Sequence, residues 1–238
     1  RRRQGEKNMK TNILIYALLA SFELSALSEI KPSKATLELD LGPEMEVEML
    51  KLNDETWQLV STVDYGAIFQ RSEKEIFKLN DNQIQPISYK FSQRSFFKKE
   101  KNNADFNWED GEVKYSLGKR KGNIDFSGNV LGPSSASLQL RLDFREFGEK
   151  NIPTEISYQV YWKGTIKKRT YSIRKVKETI ETVSGKYDAY RVTRQFEEGS
   201  DRLQIFWLAP ELDYAVIKIV DKNDRRSEIK LKTFEEIS

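Results

Sequence analysis

From Ala35 onward the chain is dominated by a two-residue rhythm of apolar and polar positions. Ile156, Tyr158, Val160 and Trp162 share one phase, with Ser157, Gln159 and Lys163 opposite and Tyr161 the large exception. Trp57, Leu59 and Val63 alternate with Gln58 and Thr62; Leu203, Ile205 and Trp207 repeat the pattern, and Ile229 and Leu231 close it. Such alternation belongs to strands with one buried and one solvated face. Between the runs lie Asn80-Asp81-Asn82, Asp110-Gly111, Ser184-Gly185, Glu198-Gly199-Ser200 and Lys222-Asn223-Asp224, residue types that tolerate the positive φ of tight hairpins. Their spacing predicts on the order of a dozen strands of ordinary length. The expected fold is mainly β: one domain over residues 29–238, built as a large curved antiparallel sheet or an open or closed barrel. A flat sheet of that size would leave long hydrophobic edges.

One segment departs from the rhythm. Pro133-Ser134-Ser135 has helix-start chemistry and Gly148 is a natural stop, which favours one short helix over residues 134–147. Leu138, Leu140, Leu142 and Phe144 also alternate, so a strand stays open there. A helix would pack on the concave side of the sheet or across its mouth. The stretch Gly118–Pro133 is read as a glycine-rich crossing loop.

The first 28 residues read differently. Met9-Lys10-Thr11-Asn12 precedes the apolar run Ile13–Phe22, and Ala26 and Ser28 are small residues placed for cleavage after Ser28. A basic head, a short apolar stretch and a small-x-small site make a secretory signal peptide over 1–28, with residues 1–8 an upstream extension. Glu23 fits that pattern least well. The run is shorter than the roughly 20 residues a membrane span needs. The expectation is an exported, soluble, periplasmic product that is not membrane-spanning. With no cysteine in the chain it is not a lipoprotein and holds no disulfide.

Charge then loses its first meaning. Setting residues 1–28 aside takes Lys+Arg from 40 to 35 and Asp+Glu from 37 to 35, so the remainder is formally neutral. A nucleic-acid partner is not expected, because no global basic excess exists to displace phosphate counterions. The local runs Phe97-Lys98-Lys99-Glu100-Lys101 and Lys167-Lys168-Arg169 read as solvated turns or strand edges.

The chemistry on offer is narrow. The chain lacks histidine as well as cysteine, which excludes Ser-His-Asp and Cys-His nucleophiles and imidazole or thiolate zinc sites. No phosphate-cradling glycine loop is present, and Gly118-Lys119-Arg120-Lys121-Gly122 lacks the helix that would make it one. No cofactor, metal or catalytic residue is assigned, and an enzyme is not the favoured reading. Glu109-Asp110 and Glu211-x-Asp213 are the nearest carboxylate pairs, and both look like turn formers. Trp57, Trp108, Trp162 and Trp207 could line a cavity for an apolar or sugar ligand, although aromatics on strand faces mostly fill cores.

The run Phe206-Trp207-Leu208-Ala209-Pro210-Glu211-Leu212-Asp213-Tyr214-Ala215-Val216-Ile217-Lys218-Ile219 resembles domain of unknown function 3108, a bacterial family. Gly185–Val192, Gln85–Tyr89, Asp105–Trp108 and Ser135–Leu142 follow that family's order, while Leu41-Gly42-Pro43 replaces its more usual opening. The resemblance implies an exported antiparallel β protein without assigned activity, and it carries over no catalytic residue. By fold-level analogy alone, a curved sheet with a helix inside is similar to the half-barrels of lipoprotein carriers. The favoured function is non-enzymatic binding of a lipid, another apolar ligand or an envelope partner. The rivals are a carboxylate-based hydrolase or lyase acting on envelope polysaccharide, and a structural subunit of an envelope assembly.

Overall fold

The computed structural model describes residues 30–40, 42–196, 200–222 and 226–237. The signal peptide read over 1–28 lies outside these residues, as do Glu198-Gly199 and Asn223-Asp224 of the expected turns. The first half holds strands β1 (Ser33–Leu39), β2 (Glu44–Lys51), β3 (Thr56–Tyr65), β4 (Phe69–Asn80), β5 (Gln83–Ser95), β6 (Lys99–Asn107), β7 (Glu112–Leu117) and β8 (Arg120–Asp125). The short β9 (Val130–Leu131) leads into helix α1 (Ser135–Asn151). Then follow β10 (Glu155–Trp162), β11 (Thr165–Thr182), β12 (Gly185–Gln195), β13 (Leu203–Ala209), a 3-10 turn (Pro210–Leu212), β14 (Ala215–Lys222) and β15 (Arg226–Glu236).

These strands form a single 15-stranded sheet in the order β8-β7-β6-β5-β4-β3-β2-β1-β15-β14-β13-β12-β11-β10-β9. Chain neighbours pair as antiparallel hairpins, and β1 joins β15 to knit the two halves together. The exception is β9 beside β10, a parallel pair whose crossover is α1. Turn chemistry works as expected at Asp81 and Asn82, with φ of 47° and 62°, which close the β4–β5 hairpin in the left-handed region that Asn and Asp tolerate. The sheet is mainly β and strongly rolled, but it does not close, because β8 and β9 end it without pairing to each other. Both ends are blunted: β8 carries Arg120 and Lys121, and β9 is two residues long.

The roll overlaps itself. Leu131 and Val160 pack with Ala136, Leu138 and Leu142 of α1, while their neighbours Val130 and Tyr161 pack with Tyr89, Phe91, Phe106 and Val113 of β5–β7. The β9–β10 end is thus sandwiched between the helix and the other end of the sheet. This corrects two expectations. Tyr161 is fully buried, donating to Asn102 Oδ1 at 2.8 Å, whereas Trp162 is exposed between Lys163 and Arg169. And Gly118–Pro133 is not one loop, since β8 and β9 both form inside it.

The segment over 134–147 is helical. Its alternating leucines are buried because the sheet surrounds the helix: Leu138 and Leu142 face one cluster, Leu140 and Phe144 another with Tyr171, Tyr190 and Leu208. Gly148, at φ 59°, breaks the regular helix where a stop was expected, and a further turn continues to Asn151. On β13 the five residues Ile205 to Ala209 are all buried. Their second face is covered by the far end of the long β11–β12 hairpin, where Ile180 joins Trp207, Ile217 and Leu231 and Val183 N–H donates to Leu231 O at 3.1 Å.

Candidate functional site: an apolar cavity beside the helix

Alternation on β1–β4 places every second residue on the concave face, and the register stacks them in rows. Ala35, Val47, Ser61 and Glu73 lie side by side across four strands; Leu37, Met45, Val63 and Arg71 form the next row, and Ser33, Met49, Leu59 and Glu75 the one beyond. Between these rows, the N-terminal half of α1 and Phe206, Val216, Ile219 and Phe234 lies a cavity of about 310 Å³. Its wall is mostly aliphatic, with a polar corner made by Arg71, Glu73, Ser134 and Ser137, and with Ser33, Ser61 and Arg141 as its other polar members.

The polar corner is built around the start of α1. Ser134 is the cap residue, yet its side chain makes no capping bond to the helix. Its Oγ instead donates to Glu73 Oε2 at 3.0 Å, and the N–H groups of Ser134 and Ser135 donate to Glu75 Oε2 at 3.1 Å each. A carboxylate from β4 therefore takes the place of the side-chain cap, satisfying helix-end donors that would otherwise be orphaned. Glu75 is completely buried, and burial pushes its carboxyl up to about 7 despite those hydrogen bonds; the neighbouring Glu73 adds to the rise. Its Oε1 has no hydrogen-bond partner among the described residues. A Cβ on residue 132 would sit 2.2 Å from that oxygen, so the approach of the chain to Glu75 requires Gly132. Glu73 is also held by Arg71, whose Nε donates at 3.1 Å.

A second clamp fixes the middle of the helix. Arg141 donates through Nε to Asp213 O at 2.8 Å and through Nη2 to Asp213 Oδ2 at 2.8 Å, and Arg145 reaches Asp213 Oδ1 at 2.9 Å. Asp213 can offer its backbone and side chain together because it and Tyr214 occupy the left-handed region, at φ 53° and 57°. Gln139 ties the remaining side, accepting from Ile84 N–H at 2.9 Å and donating to Asn82 O at 2.8 Å.

The carboxylates singled out from the sequence do not converge. Glu109-Asp110 lies on an exposed turn closed by Asn107, Glu211 is exposed, and Asp213 belongs to the arginine clamp. Nor do the tryptophans line the cavity. Trp57 and Trp207 are core, Trp108 donates to Pro86 O at 2.6 Å, and Trp162 is on the surface. Sequence reasoning missed the pair that does sit together, Glu73 and Glu75. Their signal was available: Arg71, Glu73 and Glu75 share the phase of Phe77 and Leu79 on β4, so charges fall where an apolar face is expected. No cluster of three or more potential metal ligands occurs among the described residues.

The family model of DUF3108, a protein of unknown function, matches residues 43–230. The chain belongs to that family. Within the matched range, the run 206–219 carries most of β13, the left-handed turn and the start of β14, and so supplies the Asp213 clamp on α1. The crystal structure of a β-barrel-like protein of domain of unknown function DUF1849 from Brucella abortus is similar in fold, with a TM-score of 0.54 at 15% identity, covering 87% of this chain and 98% of the other. No curated protein matches.

Proposed function

We propose that this DUF3108 chain is an exported, periplasmic, non-enzymatic binding protein whose cavity holds an apolar ligand or an apolar segment of an envelope partner. The observation that carries this reading is the cavity of about 310 Å³ with a mostly aliphatic wall and a polar corner. Ligand sites are typically concave, mostly apolar and oriented by a few polar groups, and about 300 Å³ is the small end of their range. A short acyl chain or a few apolar side chains suits it, with a polar end directed to Arg71, Ser134 and Ser137.

The carboxylate pair gives the hydrolase reading its one supporting feature, since Glu75 has a raised pKa beside Glu73. Against it, Glu75 is sealed beneath Gly132 and spends one oxygen on the helix N–H groups, and only Glu73 belongs to the cavity wall. A helix-holding role accounts for that geometry without chemistry.

The test is native mass spectrometry of the chain purified from its own host, with the cell fraction recorded. Wild type is expected in the periplasmic fraction, carrying a lipid or peptide mass that Val47→Trp loses by filling the cavity. A wild-type protein that arrives bare, or an adduct that survives Val47→Trp, overturns the reading.

A further inference from the structure

Strands β3, β5 and β7 run toward one rim of the sheet and β4, β6 and β8 run away from it, so the turns joining them share that rim. Phe69 pairs with Ser95, which sets the β3–β4 and β5–β6 turns side by side. Gly118 N–H donates to Lys101 O at 3.0 Å, so the β7–β8 turn ends level with Lys101 and the β5–β6 turn projects beyond it. At this projecting tip Phe96 is 69% exposed and Phe97 99%, and on the adjacent turn Tyr65 and Ile68 are each 48% exposed. The other phenylalanines among the described residues are buried or half-buried, most of them in core clusters, so two adjacent exposed ones at a hairpin tip call for a cause outside the fold.

The groups behind the tip are cationic. Arg94 stands directly opposite Lys99, and Lys101 opposite Ser92. Like charges facing across a ladder weaken it, and none of Arg94, Lys99 and Lys101 is in an ion pair among the described residues. They line a groove shared with the hydroxyls of Thr62, Ser72 and Ser92. Its acidic members are Asp64, which accepts from Gly66 N–H and Gln70, and Glu100, which Lys98 and Lys163 already hold. Exposed aromatics in front of uncompensated cations are the pattern of an interfacial anchor: rings settle at headgroup depth while lysine and arginine meet anionic lipid phosphates.

We propose that this rim docks the protein on an anionic bilayer surface, with Phe96, Phe97, Tyr65 and Ile68 entering the headgroup region and Arg94, Lys99 and Lys101 taking lipid phosphate. The docking site is distinct from the cavity and stands or falls separately from it, although Arg71 borders both.

The absence of cysteine allows a single label to be placed anywhere. In the full chain, Phe97→Cys and, on the opposite rim, Glu109→Cys are each labelled with a polarity-sensitive nitrobenzoxadiazole dye. They are then mixed with vesicles of phosphatidylcholine alone or with added phosphatidylglycerol. The dye at position 97 brightens and shifts blue only on the anionic vesicles, and the dye at 109 stays unchanged. In the Phe97→Cys background, Lys99→Gln and Lys101→Gln each lower partitioning about fivefold, the worth of one lysine near an anionic surface. Residues 13–22 are present in every variant, so membrane binding through them alone leaves the dye at 97 silent. A silent dye at 97, an equal response at 109, or a response to neutral vesicles of the same size overturns the proposal. So does a signal at 97 that follows protein concentration instead of lipid, which would assign the rim to a contact between proteins.

Discussion

Glu75 is the residue whose chemistry and structural role are hardest to separate. Its oxygen caps α1 through Ser134 and Ser135 N–H, which favours the carboxylate, yet complete burial costs the charge more. The folded pKa of about 7 lies above the ordinary 4.5, so the native state binds the proton more tightly than the unfolded chain. The stabilisation from that proton is therefore complete below pH 4.5 and is lost as pH rises to about 7. At about 1.4 kcal/mol per unit, the loss is on the order of 3 kcal/mol. Glu75→Gln keeps the acceptor and removes the titration. Compared with wild type by urea unfolding at several pH values, it should be nearly equal at acid pH and more stable by up to about 3 kcal/mol above pH 7. Parallel curves for the two proteins across that window would show that Glu75 is not the titrating group.

At the scale of elements, the β9–α1–β10 unit controls the interior. The two-residue strand β9 and the Val160–Tyr161 stretch of β10 lie against the helix on one side and against β5–β7 on the other, so at that point both faces are dry, while Glu155, Ser157 and Gln159 earlier on β10 stay exposed. Period two then loses its meaning as a guide to burial, and the next residue along, Tyr161, becomes core while Trp162 does not. Tyr161→Ala removes a ring packed edge-on to Tyr89 and Phe106 and should cost about 3–5 kcal/mol, as large aromatic truncations in cores do. Trp162→Ala, at a surface site, should cost no more than about 1 kcal/mol. Denaturant midpoints of the two variants decide the matter, and the reverse order would mean that the sheet ends do not overlap as described.

For the molecule as a whole, α1 is the pillar about which the sheet rolls. Three points fix it: Glu75 at its start, Asp213 through Arg141 and Arg145 at its middle, and Gln139 toward the β4–β5 turn. The apolar clusters share elements, with α1 contributing to two of them and β5, β10 and β13 spanning others, so no part of the sheet holds a core of its own. We propose on this ground that residues 29–238 fold as one domain. The expected outcome is one cooperative unfolding transition, with near-ultraviolet aromatic and far-ultraviolet backbone signals coinciding. Two separated transitions, one for each half of the sheet, would divide the chain into two units.

Which parts of this were readable in one dimension follows from the range of the forces. Strand alternation and the Asp81-Asn82 turn rest on contacts within a few residues, and these are legible because φ preference and periodicity are local properties. The helix start before Ser135 was read from its serines, but its N–H groups are met by Glu75 of a distant strand and not by a serine side chain. The DUF3108 run at 206–219 was legible as a pattern, but its task was not, because Asp213 meets Arg141 across 72 positions of chain. The same holds for Glu73 and Glu75, which matter only once Ser134 arrives about 60 residues later to claim their oxygens. Composition removed imidazole and thiol chemistry outright, since no folding restores a missing side chain. Whether the roll would close, which of its ends would be tucked inside, and that a cavity would remain beside the helix were set by packing between distant strands, which no local rhythm encodes.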